Sequence, residues 1–202
     1  RLAKLGTRLA KFIFYPFSDD HTEARRYVEW CHQRNILVKV HTGGVSRSGA
    51  NRSCGYDILS WLQPDIAAHV SGGPIPMKDA DIDAVVDNTS FALEVCSSGN
   101  FRSTLRAVRR LADKQHLERL TVGTDTPSGT GVLARGMLQM LLFLTSVCGL
   151  TPGEAVAAAT GNTARAHGLD VGILAPGRPA DLIVCGPILG SSGATLTETL
   201  AH

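Results

Sequence analysis

Two histidines and an aspartate stand at the ends of short apolar runs: His41 in ILVKVHTGG, His69 in DIAAHVSGGP and Asp125 in LTVGTDTPSG. Each is followed within two residues by Thr or Ser. In a parallel α/β barrel the C-terminal ends of the strands are where catalytic groups gather. Neutral imidazole suits zinc and related ions, and a catalytic zinc keeps one position open for water. A bound ion lowers the pKa of that water from about 15.7 to roughly 7. A nearby carboxylate can take the proton and pass it to a leaving nitrogen. His41, His69 and Asp125 are therefore candidate metal ligands, with Asp125 also the candidate proton carrier. Taken singly, a histidine at a strand end is more often structural, and an Asp before Thr-Pro more often forms a turn. Three such residues at equivalent places in a series of βα units make coincidence the minority reading.

The elements that must hold them alternate along the chain. Strands are expected over residues 9–15, 36–40, 66–70, 91–96 and 120–124, with helical patterns between them. Ala24, Tyr27, Val28 and Cys31 fall at i, i+3, i+4 and i+7. Ile82, Val85 and Val86 define an inward face over residues 79–87. Phe101, Leu105, Val108 and Ala112 define another, and a long apolar helix is expected over residues 132–148. Thr151-Pro152-Gly153-Glu154 reads as a capping box that starts a helix running towards Asn162. His69 lies 28 residues after His41, and Asp125 lies 56 after His69. Those spacings fit one and two βα units. The skipped strand, ending at Cys96, offers no obvious ligand, and Cys96 itself reads best as a small buried apolar residue. This is an α/β pattern with a parallel sheet.

Composition narrows the partners. The chain has 202 residues, 44% hydrophobic and 19% charged, with a formal net charge of +2. Such balance gives no basis for binding nucleic acid or an anionic membrane, and the aromatic content of 5% offers no base-stacking platform. The most hydrophobic segment, residues 137–150, is too short to span a bilayer. Five cysteines are scattered singly with no CxxC pair, as expected of reduced thiols in the cytoplasm. The opening RLAKLGTRLAKFIFYPF lacks the apolar core of a secretory leader. The other histidines, His21, His32, His116, His167 and His202, do not close strands and read as structural or solvent-facing.

VKVHTGG, HVSGGP, GTDTPSGTG and the tail ATGNTARAHGLDVGILAPGRPADLIV resemble the amidohydrolase superfamily, in particular its enamidase-like branch of cyclic-amide hydrolases. The similarity covers residues 1–186. It implies that residues 1–168 are the C-terminal part, about strands four to eight, of a (β/α)8 TIM barrel. His41 would end strand five, His69 strand six and Asp125 strand eight. Residues 169–186 would supply strands of a small composite β-domain, and residues 187–202 would form a loose tail. The resemblance also implies a binuclear divalent metal site, zinc in the first instance or a zinc–iron pair. His41 and His69 would bind one ion, and Asp125 would act as ligand and proton shuttle. The bridging position at the end of strand four falls to Lys11, for which a solvent-facing strand-edge lysine is the alternative. Gly73, Ser128, Gly129 and Arg47 are candidates for contact with a small planar cyclic amide, with tight turns and solvated loops as the alternatives. A homo-oligomer is compatible with this reading.

The family also has an HxH pair on strand one, and this sequence has none. The chain opens on Arg1 rather than Met, so upstream sequence is expected to carry strands one to three. The leading expectation is a metal-dependent hydrolase opening a cyclic amide or enamide C–N bond. The alternatives are a deaminase, a dihydroorotase-like or imidazolonepropionase-like enzyme, an inactive truncated fragment, or a binding module that keeps one metal.

Overall fold

The computed structural model describes residues 3–13, 22–44, 53–72, 75–127, 131–186, 190 and 192–201. Its centre is an all-parallel sheet in the order β1 (Leu9–Phe12), β2 (Leu37–His41), β3 (Ile66–Ala68), β4 (Ala92–Cys96) and β5 (Leu120–Gly123). Every strand pairs with its neighbour in sequence, as in the wall of a βα barrel. The intervening helices are α1 (Thr22–His32), α2 (Tyr56–Leu62), α3 (Asp79–Asn88) and α4 (Phe101–Asp113). After β5 come α5 (Gly136–Ser146), α6 (Pro152–Ala159), α7 (Gly161–Ala166) and α8 (Leu196–Ala201). None of the described helices is long and apolar enough to cross a membrane.

Strand alternation divides the sheet into two faces. Val38, Val40, Ala67, Leu93, Val95, Leu120 and Val122 pack into the main core with Val28, Leu59, Ile82 and Leu111 from the helices. The opposite face carries Lys11, Lys39, His41, Glu94 and Thr121, since Lys11 is in register with Lys39 and Glu94 with Thr121. Apolar burial on the helix side, at about 1.5–3 kcal/mol for a Leu or Val, holds the strands. The second face is left for polar groups.

The helices form where local chemistry predicts, with shifted faces. Ala24, Val28 and Cys31 are buried in α1, but Tyr27 is 48% exposed and its hydroxyl donates to Glu23 Oε1 at 3.1 Å. In α4 the buried set is Ser103, Thr104, Ala107, Val108 and Leu111, so the expected stripe through Phe101 and Ala112 is rotated. Phe101 instead stacks on Phe143 of α5. Asn100 caps α4 by accepting from Ser103 N. Asp79, Asp83 and Asp87 of α3 meet Arg102, Arg106 and Arg110 of α4 in successive ion pairs. The buried Arg119 guanidinium donates to the Val85, Val86 and Phe91 carbonyls and to Thr89 Oγ1. It thereby satisfies carbonyls at the C-terminal end of α3.

The Thr151–Glu154 capping box forms as expected. Its helix does not run on to Asn162. It breaks at Thr160 (φ −122°, ψ −88°), where Thr163 Oγ1 donates to the Ala158 carbonyl and accepts from Val122 N at 3.3 Å. The turn thus closes on the edge strand β5. Residues 169–186 form no strand, and nearly all of them are exposed, so neither expected strand finds a surface to bury against. The last stretch, expected to be loose, ends in α8, where Leu200 is 1% exposed and supplies the apolar anchor.

Candidate active site

Because all five strands are parallel, their C-terminal ends share one edge. His41 is the last residue of β2, His69 directly follows β3, Asp125 lies two residues beyond β5, and Cys96 ends β4. The His41 and His69 rings lie 4.4 Å apart, edge to face at 73°. Small polar side chains pin this edge. Thr42 Oγ1 donates to the Ala68 carbonyl at 2.8 Å, tying the end of β2 to the residue before His69. Ser97 Oγ donates to the Thr124 carbonyl, and Ser98 Oγ donates to Asp125 Oδ2 at 3.3 Å.

Two of these residues carry backbone strain. His69 has φ +37° and Asp125 has φ +55°. The other non-glycine residues with positive φ, Asn35, Gln63 and Gln115, lie within three residues after a helix end, where a left-handed residue is an ordinary terminator. His69 and Asp125 terminate strands. A non-glycine residue there costs on the order of 1–3 kcal/mol, and such strain clusters at functional sites. Glycine has a different use nearby. A Cβ on Gly43 (φ +64°) would lie 2.7 Å from the Ile75 carbonyl oxygen, and one on Gly72 (φ +48°) would lie 2.8 Å from it. Both glycines therefore allow the close packing of the β2–α2 and β3–α3 loops around Ile75.

The electrostatics favour uncharged imidazoles. Burial, then the His69 and Lys11 charges, push His41 down to about 4, against the opposing pull of Asp125. His69, 4% exposed, is also lowered, by burial first and then by Lys11, with Asp125 and Glu94 opposing. A neutral imidazole with a free ring nitrogen is the metal-binding form. Nδ1 of His69 is buried with no hydrogen-bond partner, as is the neighbouring Ser71 Oγ. The donor chemistry therefore fits a divalent ion. Even so, no three His, Cys, Asp or Glu side chains among the described residues are grouped closely enough to cage one.

The structure thus gathers His41, His69 and Asp125 on one edge. Lys11 is exposed on the outer strand β1 and close enough to depress both imidazoles. Arg47, Gly73, Ser128 and Gly129 lie outside the described residues. Cys96 is fully buried, and burial raises its thiol pKa. His32 meets Asp65, His116 meets Glu118, and His167 Nδ1 meets the Thr163 carbonyl, all away from the C-terminal strand ends.

Sequence reasoning missed Ser98 and an ion pair between Lys39 and Glu94, whose side chains are 13% and 10% exposed. The available signal was a lone charge inside each apolar run, ILVKV and FALEV. Each stands two residues before a strand end, so it shares a face with His41 or Cys96.

Residues 4–199 match the amidohydrolase family. Among curated proteins the chain is 37% identical over 169 residues to enamidase of Eubacterium barkeri, covering 84% of this chain and 44% of that protein. It is 43% identical over 163 residues to imidazolonepropionase of Deinococcus deserti, covering 80% and 38%. The crystal structure of enamidase superposes with a TM-score of 0.84 at 36% identity, over 88% of this chain and 46% of that one. N-acetyl-D-glucosamine-6-phosphate deacetylase from Mycobacterium smegmatis shares the fold, with a TM-score of 0.57 at 19% identity, over 86% and 48%. The chain spans less than half the length of each of these relatives. With a family match running through the sheet, the strand-end histidines and Asp125, this chain belongs to the amidohydrolase family.

Proposed function

We propose that the chain is the C-terminal part of a metal-dependent amidohydrolase that hydrolyses the C–N bond of a small cyclic amide or enamide. The observation that carries this reading is the His41–His69 pair, its rings 4.4 Å apart and His69 buried, on the same sheet edge as the strained Asp125. The likeness to enamidase supports the substrate class. His41, His69, Asp125 and Lys11 would hold the divalent metal, zinc in the first instance and one of a zinc–zinc or zinc–iron pair in the complete protein. When bound, such an ion supplies Lewis acidity and a water that ionises near neutral pH.

The chain's own residues do the rest. Burial keeps both imidazoles unprotonated as donors. Ser98 holds Asp125 Oδ2, which fixes the carboxylate that takes the proton from the attacking water and delivers it to the departing nitrogen. Arg47, Gly73, Ser128 and Gly129 would meet the substrate ring and its carboxylate. Residues 169–186 would pair as strands of a composite β-domain in the longer protein. The dispersed cysteines, all free among the described residues, support a reducing, cytoplasmic setting, and a homo-oligomer fits the same reading.

A second reading, an imidazolonepropionase-type activity, is favoured by the 43% identity to that enzyme. Assaying the full-length protein on a panel of cyclic enamides, saturated cyclic amides and an imidazolone acid separates the two. Asp125→Asn should lower kcat on the best substrate by about 10²–10⁴-fold. Full turnover by that variant would remove Asp125 from the mechanism.

A further inference from the structure

The strand that contributes no ligand, β4, contributes a counter-charge. Lys39 on β2 and Glu94 on β4 form an ion pair that reaches across β3 on the His41 face of the sheet. The register explains how. Lys39 is level with Ile66, and His41 with Ala68. Ile66 is level with Ala92, so continuing the pairing puts Glu94 level with Ala68. The Ala68 methyl leaves open the diagonal along which the pair forms. A Cβ on Gly123 would lie 3.3 Å from Glu94 Oε2, so the strand on the far side also leaves room for the carboxylate. The Glu94 carbonyl accepts from Val70 N at 2.8 Å, which anchors the residue after His69.

A buried ion pair stabilises little, because desolvating both charges offsets most of their attraction. Its placement therefore needs another account. Lys39 stands two residues before His41 on the same face of the sheet, so a cation shares that face with the imidazole pair. Such a charge opposes a divalent cation, and Glu94 is the carboxylate that engages it. We propose that Glu94 is a positioning residue that neutralises the Lys39 ammonium on the face of the His41–His69 pair, and so sets how tightly that pair binds a metal ion. The proposal rests on the metal-site reading above. It adds a directional consequence. Removing the Glu94 charge releases a buried cation beside the site. Removing the Lys39 charge leaves an unpaired carboxylate there instead.

The test is zinc affinity by chelator competition on the full-length protein, with far-UV circular dichroism and thermal melting to verify folding. Glu94→Gln should weaken zinc binding by about tenfold, and Lys39→Met should leave it unchanged or tighten it. The double variant should return to near the wild-type value. Lys39→Arg with Glu94→Asp, which keeps both charges, should also bind like wild type and serves if the neutral variants fold poorly. Weakening by both single variants alike, or by neither, would overturn the proposal while leaving the metal site in place. Failure of the wild-type protein to bind zinc would overturn the site itself, and this inference with it.

Discussion

The two faces of the five-stranded sheet are built from the same strands by alternate residues, yet they follow different rules. On the helix side Val38, Val40, Leu93, Val95, Leu120 and Val122 are buried hydrophobics whose company is other hydrophobics. On the other side Lys39, His41 and Glu94 are charged or polar, and the site's order comes from named hydrogen bonds and one ion pair. The first face tolerates change in proportion to volume. The second should respond to charge and donor geometry rather than to volume. His69 and Asp125 are held at positive φ just past the strand ends, where the backbone leaves this second face.

The largest stability effect should come from the apolar face. Leu93→Ala should remove about 2–5 kcal/mol of stability by leaving a cavity, read as a lower urea midpoint, with metal content unchanged in the folded fraction. Loss of metal without loss of stability would break the division between the faces. A smaller effect belongs to His41. Its folded pKa is about 4, against about 6.5 in an unfolded chain. As pH falls through 6.5, the unfolded state takes up a proton that the native metal-free protein refuses. Stability should therefore decline from pH 6.5 to 4, by on the order of 2 kcal/mol after allowance for partial exposure. Denaturant midpoints across that range should fall less steeply in His41→Asn.

Ser98→Ala sharpens the comparison from the polar face. It removes the donor to Asp125 Oδ2 and should lower kcat about tenfold, with KM and melting temperature nearly unchanged. An equal drop in stability would make Ser98 structural. Smallest is Arg110→Ala, which breaks an exposed ion pair with Asp87 and should cost no more than about 1 kcal/mol.

Much of this was legible in the sequence. Apolar runs bounded by Gly, Ser and Thr located every strand to within a few residues, and the strand-end rule singled out His41, His69 and Asp125. What escaped was what depends on neighbours far along the chain. Lys39 and Glu94 are 55 residues apart, and only the register of three strands brings them together. The rotation of the α4 stripe reflects Phe101 finding Phe143, a partner that periodicity does not reveal. The expected strands of residues 169–186 have no partner here, since a strand is stable only against another strand or a packed face. Backbone strain at His69 and Asp125 has no signature in residue type, because neither is glycine.

The proposed chemistry depends on His41 and His69 as metal donors. Metal content of the full-length protein, measured by plasma mass spectrometry after zinc loading and desalting, tests that most directly when compared with His41→Ala and His69→Ala. Two ions per chain in the wild type, with at least one lost in each folded variant, is the predicted result. The same content in all three proteins would contradict it.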